Sequence, residues 1–408
     1  MNCRFCQQEL KYEMVDLGFS PPSNSFLTKA QLLLPEVYYP LKIMVCSKCL
    51  LVQVDEFARH DDIFNHDYAY FSSYATSWLQ HCEAYAQKMI TSMGLDSQNL
   101  VIEIASNDGY LLQYFKQAGI PVLGIEPTSN TAEVAIAKGI PTLVRFFGRE
   151  TSGQLVSDEV KADLLIGNNV LAHVPDINDF VGGMAGLLAE GGIITMEFPH
   201  VLQLLEKNQF DTIYHEHFSY LSLMTVQQIF SSHGLGIFNV EELSTHGGSL
   251  RIYACHASDL HERIMSSVEK LILKETAFGL KDMETYSKLQ TQAEKIKDEF
   301  LHLLITLKKE NKTVAAYGAA AKGNTLLNFC GVRKDLIQFI VDASPHKQNK
   351  YIPGMHIPVV DEQMIRAVRP EYVVILPWNL RDEIAQQLNY IRSWGGQFVT
   401  AIPEIKIF

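Results

Sequence analysis

The sequence lacks the features that would mark a secreted or membrane-inserted protein. No run of 18 apolar residues occurs in its 408 residues, and the first ten, MNCRFCQQEL, contain no apolar signal core. Cysteine is also sparse: there are seven, an odd number that does not suit a framework of disulfides. We therefore expect a cytoplasmic protein that has no membrane partner.

Positive charge is scarce as well. Lys and Arg total 34 against 46 Asp and Glu, so the net charge is -12. This balance disfavours nucleic acid and anionic membranes as partners, but it is compatible with a local basic pocket for a phosphate. Composition is otherwise that of a globular protein, with 47% hydrophobic and 20% charged residues, and the length predicts two or three domains.

Four of the cysteines form two C-x-x-C pairs near the start of the chain, Cys3 with Cys6 and Cys46 with Cys49. Each such knuckle presents two thiolates to one ion, so the pairs predict a tetrahedral structural zinc site. Four thiolates leave no open position, which argues against a catalytic metal. The long spacing between the pairs implies an inserted hairpin or loop. The alternative is four unrelated buried thiols.

The remainder of the chain alternates between short apolar runs and amphipathic segments. The first alternating region has a helix at 75–95, the strand VIEI, the helix YLLQYFKQAG and the strand PVLGI, followed by strands at 162–170 and 191–198. After a charged, mostly helical segment at 260–311, the pattern restarts in KTVAAYGAAAKG. Further strands are predicted at 336–344, 372–379 and 397–405. Such alternation predicts an α/β protein with two doubly wound, mainly parallel sheets.

The turn after VIEI, ASNDG, has the position of a nucleotide-cofactor cradle. Only one glycine of a dinucleotide fingerprint is present, and the acid at the end of the second strand is placed to accept hydrogen bonds from ribose hydroxyls. An acid before the turn suits a cationic ligand, so the cradle favours S-adenosylmethionine (SAM); the alternative is an α/β domain with an empty crevice. The predicted cofactor-binding residues are Glu103, Ala105, Asn107, Asp108, Gly109, Glu126 and, after the fourth strand, Asn168.

The stretch IYHEHFSYLS (213–222) concentrates groups that transfer protons. In an extended segment His215 and His217 would share one side, with Tyr214 and Glu216 on the other. No H-E-x-x-H spacing is present, so proton transfer is favoured over metal binding, because imidazole is the usual general base near neutral pH and a carboxylate can orient it. The alternative is a polar loop around a hydrogen-bonded core histidine.

Three other motifs carry candidate residues. In GNNVLAHVPD, His173 is predicted to lie near the cofactor, unless it is a local hydrogen-bonding residue. In STHGGSLRIYACH, Arg251 can hold a phosphate or carbonyl oxygen, unless it points outward from a hairpin. In YGAAAKGNTLLN, a helix N-terminus and Lys322 can take a phosphate, although the spacing is not that of a Walker A loop.

Taken in order, these motifs resemble those of the deoxysugar C-methyltransferases, which act on nucleotide-linked 4-keto-6-deoxy sugars. The resemblance spans nearly the whole chain and includes the C-x-x-C pairs, YAYFSSY (68–74), EIASNDG, HVPD, YHEHFSYLS, HGGSLR and YGAAAKGNTLLN. It implies a zinc-binding domain at 1–66, a class I methyltransferase (Rossmann-like) domain at 67–258 and a second Rossmann-like domain at 259–408 that binds the sugar nucleotide. One mild departure is Ala105, where a glycine is common.

The resemblance also implies a reaction and the residues that perform it. The reaction is SAM-dependent methylation at C3 of a nucleotide-linked 4-keto-6-deoxy sugar through a base-generated enolate, by a chain expected to be a monomer. Methyl transfer to C5 or to oxygen remains open, as does a zinc-containing sugar-nucleotide-binding protein without catalysis. His217 resembles the base; Tyr214, Glu216, His173 and Tyr68 or Tyr70 match its active-site neighbours, and Lys322 and Asn324 match the segment near the phosphates.

Overall fold

The computed structural model describes residues 1–57, 71–259 and 264–408, which form three β-sheets. Tyr68 and Tyr70 lie outside the described residues, so their assignment stays a prediction. Within the described ranges, no helix combines the length and the hydropathy that crossing a bilayer requires.

The amino-terminal sheet is antiparallel and has four strands. β1 (Tyr12–Ser20), β2 (Tyr39–Val45) and β3 (Val52–Val54) follow one another, and the sheet is completed by β9 (Ser219–Tyr220), which belongs to the central part of the chain. The insertion between the two C-x-x-C pairs is therefore a hairpin, as predicted. Because only Phe218 separates His217 from β9, the sheet fixes one end of the YHEHF segment.

The central sheet has seven strands in the order β10-β11-β8-β7-β4-β5-β6. Strands β4 to β8 are parallel, and β11 runs antiparallel to both β8 and β10. The strands are β4 (Val101–Ile104), β5 (Val122–Ile125), β6 (Thr142–Leu143), β7 (Ala162–Asn168), β8 (Leu188–Pro199), β10 (Leu235–Leu243) and β11 (Ser249–His256). The helices are α1 (Thr76–Met93), α2 (Leu112–Gln117), α3 (Ser129–Ala137), α4 (Arg149–Ser157), α5 (Ile177–Leu187), α6 (Val201–Glu206) and α7 (Leu223–Ser232).

The carboxyl-terminal sheet has six strands in the order β14-β13-β12-β15-β16-β17. All its pairings are parallel except that of β17 with β16. The strands are β12 (Val314–Tyr317), β13 (Ile340–Val341), β14 (Val359–Val360), β15 (Tyr372–Ile375), β16 (Gln397–Thr400) and β17 (Lys406–Ile407). The helices are α8 (Ser266–Phe278), α9 (Met283–Lys309), α10 (Ala321–Cys330), α11 (Gln363–Val368) and α12 (Arg381–Gln387).

The long helix α9 packs against both the amino-terminal and the carboxyl-terminal parts of the chain. Its N-terminus is capped by the Asp282 side chain, and its buried stripe packs against both β1 and α10. Gln290 on α9 accepts a hydrogen bond from the backbone of Asp16 in β1, with an N–O distance of 2.8 Å. One apolar core accordingly runs from the amino-terminal sheet through α9 into the carboxyl-terminal sheet.

The predicted α/β class and the two doubly wound regions are confirmed, but several strands are shorter than predicted. The prediction of a strand at 336–344 is correct only for Ile340–Val341. Leu336 and Ile337 instead donate their backbone N–H groups to the carbonyl of Arg333 in a turn. Apolar side chains are buried as well from a turn as from a strand, so a run of them does not define strand length.

Candidate active site

A cavity of about 660 Å³ lies at the carboxyl ends of the central strands. Its wall includes Asn24 from the amino-terminal part, Glu126 and His217 from the central part, and Lys322 from the carboxyl-terminal part. This location agrees with the rule that doubly wound sheets bind ligands beyond the carboxyl ends of their strands. A ligand that fills the cavity would contact all three parts of the chain.

The cofactor turn after β4 adopts glycine-like backbone angles with only one glycine. Its φ angles are +57° at Ala105, +48° at Asn107 and +76° at Gly109. A Cβ atom at Gly109 would lie 2.4 Å from Ile140 Cδ1, so a larger residue has no room there. Glu126, directly after β5, accepts hydrogen bonds from the backbone N–H of Asn107 at 2.8 Å and thereby holds the turn.

The predicted cofactor-binding residues fall into two groups. Glu103 and Asp108 are buried behind the turn with Gly109, and none of the three lines the cavity. Burial raises the pKa of Glu103 well above its usual value, and Tyr110 offsets this only in part. The residues that do line the cavity are Ala105, Asn107, Glu126 and Asn168. The latter fit SAM, since Glu126 offers a carboxylate for ribose hydroxyls beside a backbone turn that a nucleoside can approach.

Tyr214 and His217 form the reactive part of the opposite wall. A turn closes between them, with the His217 N–H donating to the Tyr214 carbonyl at 2.9 Å. The His217 Nδ1 lies 2.9 Å from the carbonyl oxygen of Thr212, which can only accept, so Nδ1 carries the proton. The Tyr214 hydroxyl then donates to His217 Nε2 at 2.8 Å. Nε2 is therefore the acceptor nitrogen of His217 and the atom that a general base would use.

His173 packs against His217, with ring centroids 4.6 Å apart in an edge-on arrangement. Burial lowers the pKa of His173 to about 4. Burial, reinforced by His173, lowers the pKa of His217 well below its usual value. Both rings are therefore neutral near pH 7, and His217 is able to accept a proton.

Glu216 also faces the cavity, and Asn24 determines its orientation. The Asn24 amide donates to both carboxylate oxygens, at 2.7 and 2.9 Å. Burial raises the pKa of Glu216 to about 7, while the Asn24 hydrogen bond and the charge of Lys347 oppose that rise. Asn24 comes from the turn-rich segment between the two C-x-x-C pairs, so the amino-terminal part contributes directly to this wall.

The expectation that His215 and His217 share a side is wrong. Residues 215–216 form a turn, and an extended strand begins only at β9. The turn places Tyr214 beside His217, whereas His215 Nε2 lies 3.1 Å from the carbonyl of Pro40 and does not line the cavity. The alternation of sides that was predicted applies only to extended backbone.

Two partly buried lysines line the carboxyl-terminal side of the cavity. Lys322, in the first turn of α10, donates to Asn379 Oδ1 at 2.7 Å, and its ammonium lies 4.7 Å from the centre of the Trp378 ring. Burial lowers the pKa of Lys322, and Asp211 opposes that shift. Lys347 donates to the carbonyl of Ala319 at 2.9 Å. Two ammonium groups beside a helix N-terminus suit an anionic ligand such as a diphosphate.

The structure does not bring Arg251 or Asn324 to the cavity wall. Arg251 is buried, donates to the Glu197 carboxylate at 2.5 Å and lies 4.3 Å from the centre of the Tyr85 ring. It therefore holds Glu197 and does not contact a phosphate. The Asn324 amide points to the carbonyl of Ser23, 3.4 Å away, and so joins α10 to the amino-terminal part.

Sequence reasoning missed several cavity residues. Asn24 and Lys347 were not predicted, and neither were the aromatic and imidazole groups of Trp78, His81 and His246. The Trp78 ring stacks on His81 with centroids 5.1 Å apart and meets the edge of His246 at 5.2 Å. No single spacing pattern in the sequence links these five residues, because they reach the cavity from four different segments of the chain.

The four cysteines of the C-x-x-C pairs converge as predicted. Their Sγ atoms all lie within 4.8 Å of one another, and the Cys3–Cys49 and Cys6–Cys46 distances are 3.5 Å. A tetrahedral zinc ion with Zn–S bonds of about 2.3 Å requires sulfur atoms about 3.8 Å apart, so the cluster fits zinc. It is a closed site of four thiolates, remote in sequence from the proton-transferring groups.

The chain is similar over part of its length to solved structures of methyltransferases. One is magnesium protoporphyrin IX methyltransferase from Synechocystis PCC 6803 with bound SAM, at 17% identity and a TM-score of 0.34, covering 43% of this chain and 78% of that one. Another is a SAM-dependent methyltransferase from Anabaena variabilis, at 14% identity and a TM-score of 0.34, covering 43% of this chain and 84% of that one.

Family models match three consecutive segments. They are described as a zinc binding domain (3–64), a methyltransferase domain (78–240) and a C-methyltransferase C-terminal domain (244–403). The chain is also 34% identical to C-methyltransferase NovU from Streptomyces niveus over 405 residues, which is 99% of this chain and 96% of that protein. The chain therefore belongs to the family of SAM-dependent C-methyltransferases that carry an amino-terminal zinc-binding domain.

Proposed function

We propose that the protein methylates C3 of a nucleotide-linked 4-keto-6-deoxy sugar through an enolate, with His217 as the base. The observation that carries the proposal is the neutral His217 ring, whose Nε2 accepts a hydrogen bond from Tyr214 in the cavity that Glu126 and two partly buried lysines also line. In this proposal residues 1–66 bind zinc, 67–258 transfer the methyl group and 259–408 bind the sugar nucleotide.

The chemistry requires a base because carbon is a poor nucleophile until a proton beside a carbonyl is removed. A 4-keto group acidifies the C3 hydrogen. The Tyr214 hydroxyl, which donates to His217 Nε2, turns to the substrate oxygen, and Nε2 then takes the C3 proton as the C–H bond breaks and the N–H bond forms. Tyr214 and His173 lie beside His217 and can stabilise the enolate oxygen. SAM, when bound, supplies the electrophilic methyl group. The cavity walls align the two reacting carbons, which contributes much of the rate.

The substrate's handle is assigned from charge. The whole chain carries a net charge of -12, yet Lys322 and Lys347 both face this cavity. Partly buried ammonium groups favour an anion with several oxygens, and a nucleoside diphosphate provides one. Glu216, with its pKa raised to about 7, is placed to interact with a polar substituent of the sugar.

Hydrogen exchange tests the base and the carbon together. The protein is incubated in D₂O with S-adenosylhomocysteine and the probe thymidine diphosphate 4-keto-6-deoxyglucose, and NMR identifies the carbon that gains deuterium. We expect deuterium at C3 and its loss in His217→Asn. His215→Asn is the matched control, because its ring faces Pro40 and should leave exchange unchanged. Full exchange in His217→Asn would remove His217 as the base.

The same experiment separates the alternatives. Deuterium at C5 would move the site of methylation, and an O-methyl product without exchange would replace the enolate mechanism. A binding protein without catalysis would show no exchange with any 4-keto sugar. Calorimetry with S-adenosylhomocysteine followed by thymidine diphosphate then decides whether both ligands bind one chain, as a C-methyltransferase acting on this class of substrate requires.

A further inference from the structure

Arg4 lies inside the first zinc knuckle, between Cys3 and Cys6, yet its side chain extends away from the metal site. Nη1 donates to the carbonyl of Pro175 at 2.6 Å, and Nη2 donates to the carbonyl of Val54 at 2.5 Å. Pro175 is two residues after His173 and lines the active-site cavity. The zinc knuckle thus hydrogen-bonds directly to the loop that carries one active-site histidine.

The same guanidinium contacts the segment that carries the other histidine. Its central carbon lies 5.3 Å from the centre of the Phe218 ring, which is fully buried and directly follows His217. A guanidinium over an aromatic face at this distance is an attractive cation–π contact. Arg4 accordingly bridges the two segments whose histidine rings meet at 4.6 Å.

The direction of the Arg4 side chain depends on the conformation of the knuckle. The Gln53 side chain joins the thiolate cluster to the Arg4 backbone. Its Nε2 lies 3.3 Å from Cys3 Sγ, and its Oε1 accepts a hydrogen bond from the Arg4 backbone N–H at 2.9 Å. On the other face, Asn178 on α5 donates to the carbonyl of Phe5 at 2.9 Å. A change in the thiolate cluster would therefore turn the Arg4 backbone and withdraw the guanidinium.

We propose that Arg4 is a positioning residue that couples the zinc knuckle to the His173–His217 pair. The proposal rests on the proposed function of His217 as the base. His173 lies at the end of a single 3-10 turn (Leu171–His173), and His217 follows a turn, so neither is held by a helix or a long strand. A catalytic group needs supporting contacts that fix it to a fraction of an ångström, and Arg4 supplies them to both segments.

Two substitutions at Arg4 test the coupling. Arg4→Met keeps an unbranched apolar stem but removes the donors and the charge, whereas Arg4→Lys keeps the charge and one donor group. With thymidine diphosphate 4-keto-6-deoxyglucose as the probe, we expect Arg4→Met to lower the deuterium-exchange rate about tenfold or more. Zinc content should be unchanged, and the affinity for S-adenosylhomocysteine should stay within about twofold, since the cofactor turn is not touched. Arg4→Lys should recover part of the rate.

Gln228→Ala is the matched control. The Gln228 side chain donates to the carbonyl of Cys49 at 3.3 Å, so it joins the second knuckle to α7 without touching the Pro175 loop or Phe218. This variant should lower the melting temperature without slowing exchange. If Arg4→Met also lowers only the melting temperature, its role is structural and the proposal is overturned.

A double-mutant cycle with His173→Asn supplies the decisive readout. If Arg4 acts through this histidine, the rate losses of Arg4→Met and His173→Asn will not multiply in the double variant. Multiplying losses would overturn the coupling. His217→Asn, measured in parallel, keeps the two proposals distinguishable: full exchange in that variant refutes the base, whereas lost exchange there with a normal rate in Arg4→Met refutes only the coupling.

Discussion

In each doubly wound sheet an acid after one strand holds the turn after the neighbouring strand, but the charge that the two sheets present to the cavity differs in sign. In the central sheet, Glu126 after β5 accepts a hydrogen bond at 2.8 Å from the N–H of Asn107, in the turn after β4. In the carboxyl-terminal sheet, Asp342 after β13 accepts one at 2.8 Å from the N–H of Ala319, in the turn after β12. Each acid also accepts from a backbone N–H two residues further on, at Thr128 and Ser344.

The difference lies in what surrounds each acid. The neighbours of Glu126 are neutral donors, and its carboxylate faces the cavity. Asp342 lies 3.7 Å from the Lys347 ammonium, which itself lines the cavity. The first sheet therefore has an acid at the cavity wall, which we propose binds ribose hydroxyls, whereas the second has a lysine there, which we propose binds an anion. Equivalent positions in the two sheets thus differ in charge at the cavity because one lysine pairs with the second acid.

The largest expected effect comes from removing Glu126, the acid that lines the cavity. Glu126→Ala should weaken S-adenosylhomocysteine binding by about a hundredfold, because hydrogen bonds to a charged group contribute about 1.5–3 kcal/mol each and the turn also loses its acceptor. Calorimetry measures this. Asp342→Ala is the counterpart and should leave this affinity unchanged; equal losses in both variants would contradict the difference between the sheets.

A smaller effect is expected on the lysine side. Lys322→Met should weaken thymidine diphosphate binding about tenfold, because it removes one charge-assisted contact between the ammonium and the diphosphate. The binding of S-adenosylhomocysteine should be unaffected. Lys138→Met is a suitable control, since this half-exposed lysine contacts Asp108 outside the cavity. A loss of cofactor affinity in Lys322→Met would mean that the two halves of the cavity are not chemically separate.

The pH profile should distinguish the acid from the imidazole. The pKa of Glu216 is raised to about 7 and that of His217 is well below its usual value, both chiefly by burial. A rate change near pH 7 therefore belongs to Glu216 and should vanish in Glu216→Gln, while the loss of activity from His217 protonation appears only well below pH 6.5. A step near pH 7 that persists in Glu216→Gln would refute this assignment.

The stability of the fold should depend on pH in the acidic range, because of the buried His173. The folded pKa of His173 is about 4, below the value of about 6.5 in an unfolded chain. The unfolded state therefore binds more protons between these values, and stability falls as pH drops from about 6.5 to about 4. Thermal unfolding across this window should show a shallower decline in His173→Asn.

The smallest expected effect concerns the turn after β4. Ala105 has a φ of +57°, a region that costs an alanine about 1–2 kcal/mol relative to glycine. Ala105→Gly should therefore raise the free energy of unfolding by up to about 1 kcal/mol, since part of the gain is offset by the freedom of glycine in the unfolded chain. Denaturant titration measures the free energy of unfolding, and a lower value in Ala105→Gly would contradict backbone strain at Ala105.

Local signals made the fold predictable and left part of the site hidden. The VIEI strand, the turn after it and Glu126 are signalled by neighbouring residues, so sequence alone predicted this strand and turn, whose role as a cofactor cradle stays a prediction. Arg251 was assigned to substrate because its partner Glu197 comes from a different strand, and pairing between strands is not visible in the sequence. Asn24 and Lys347 were missed for the same reason, because only tertiary packing brings them to Glu216.

The core shared through α9 limits how this family can be recombined. A helix of 27 residues spans about 40 Å, and this one buries its apolar stripe against the amino-terminal sheet as well as against α10. Family models divide the chain into three consecutive segments, but the packing divides it differently. A chimera that exchanges only the zinc-binding segment would pack a foreign β1 against α9, whereas one that exchanges both ends of the chain together keeps the two sides of that interface matched.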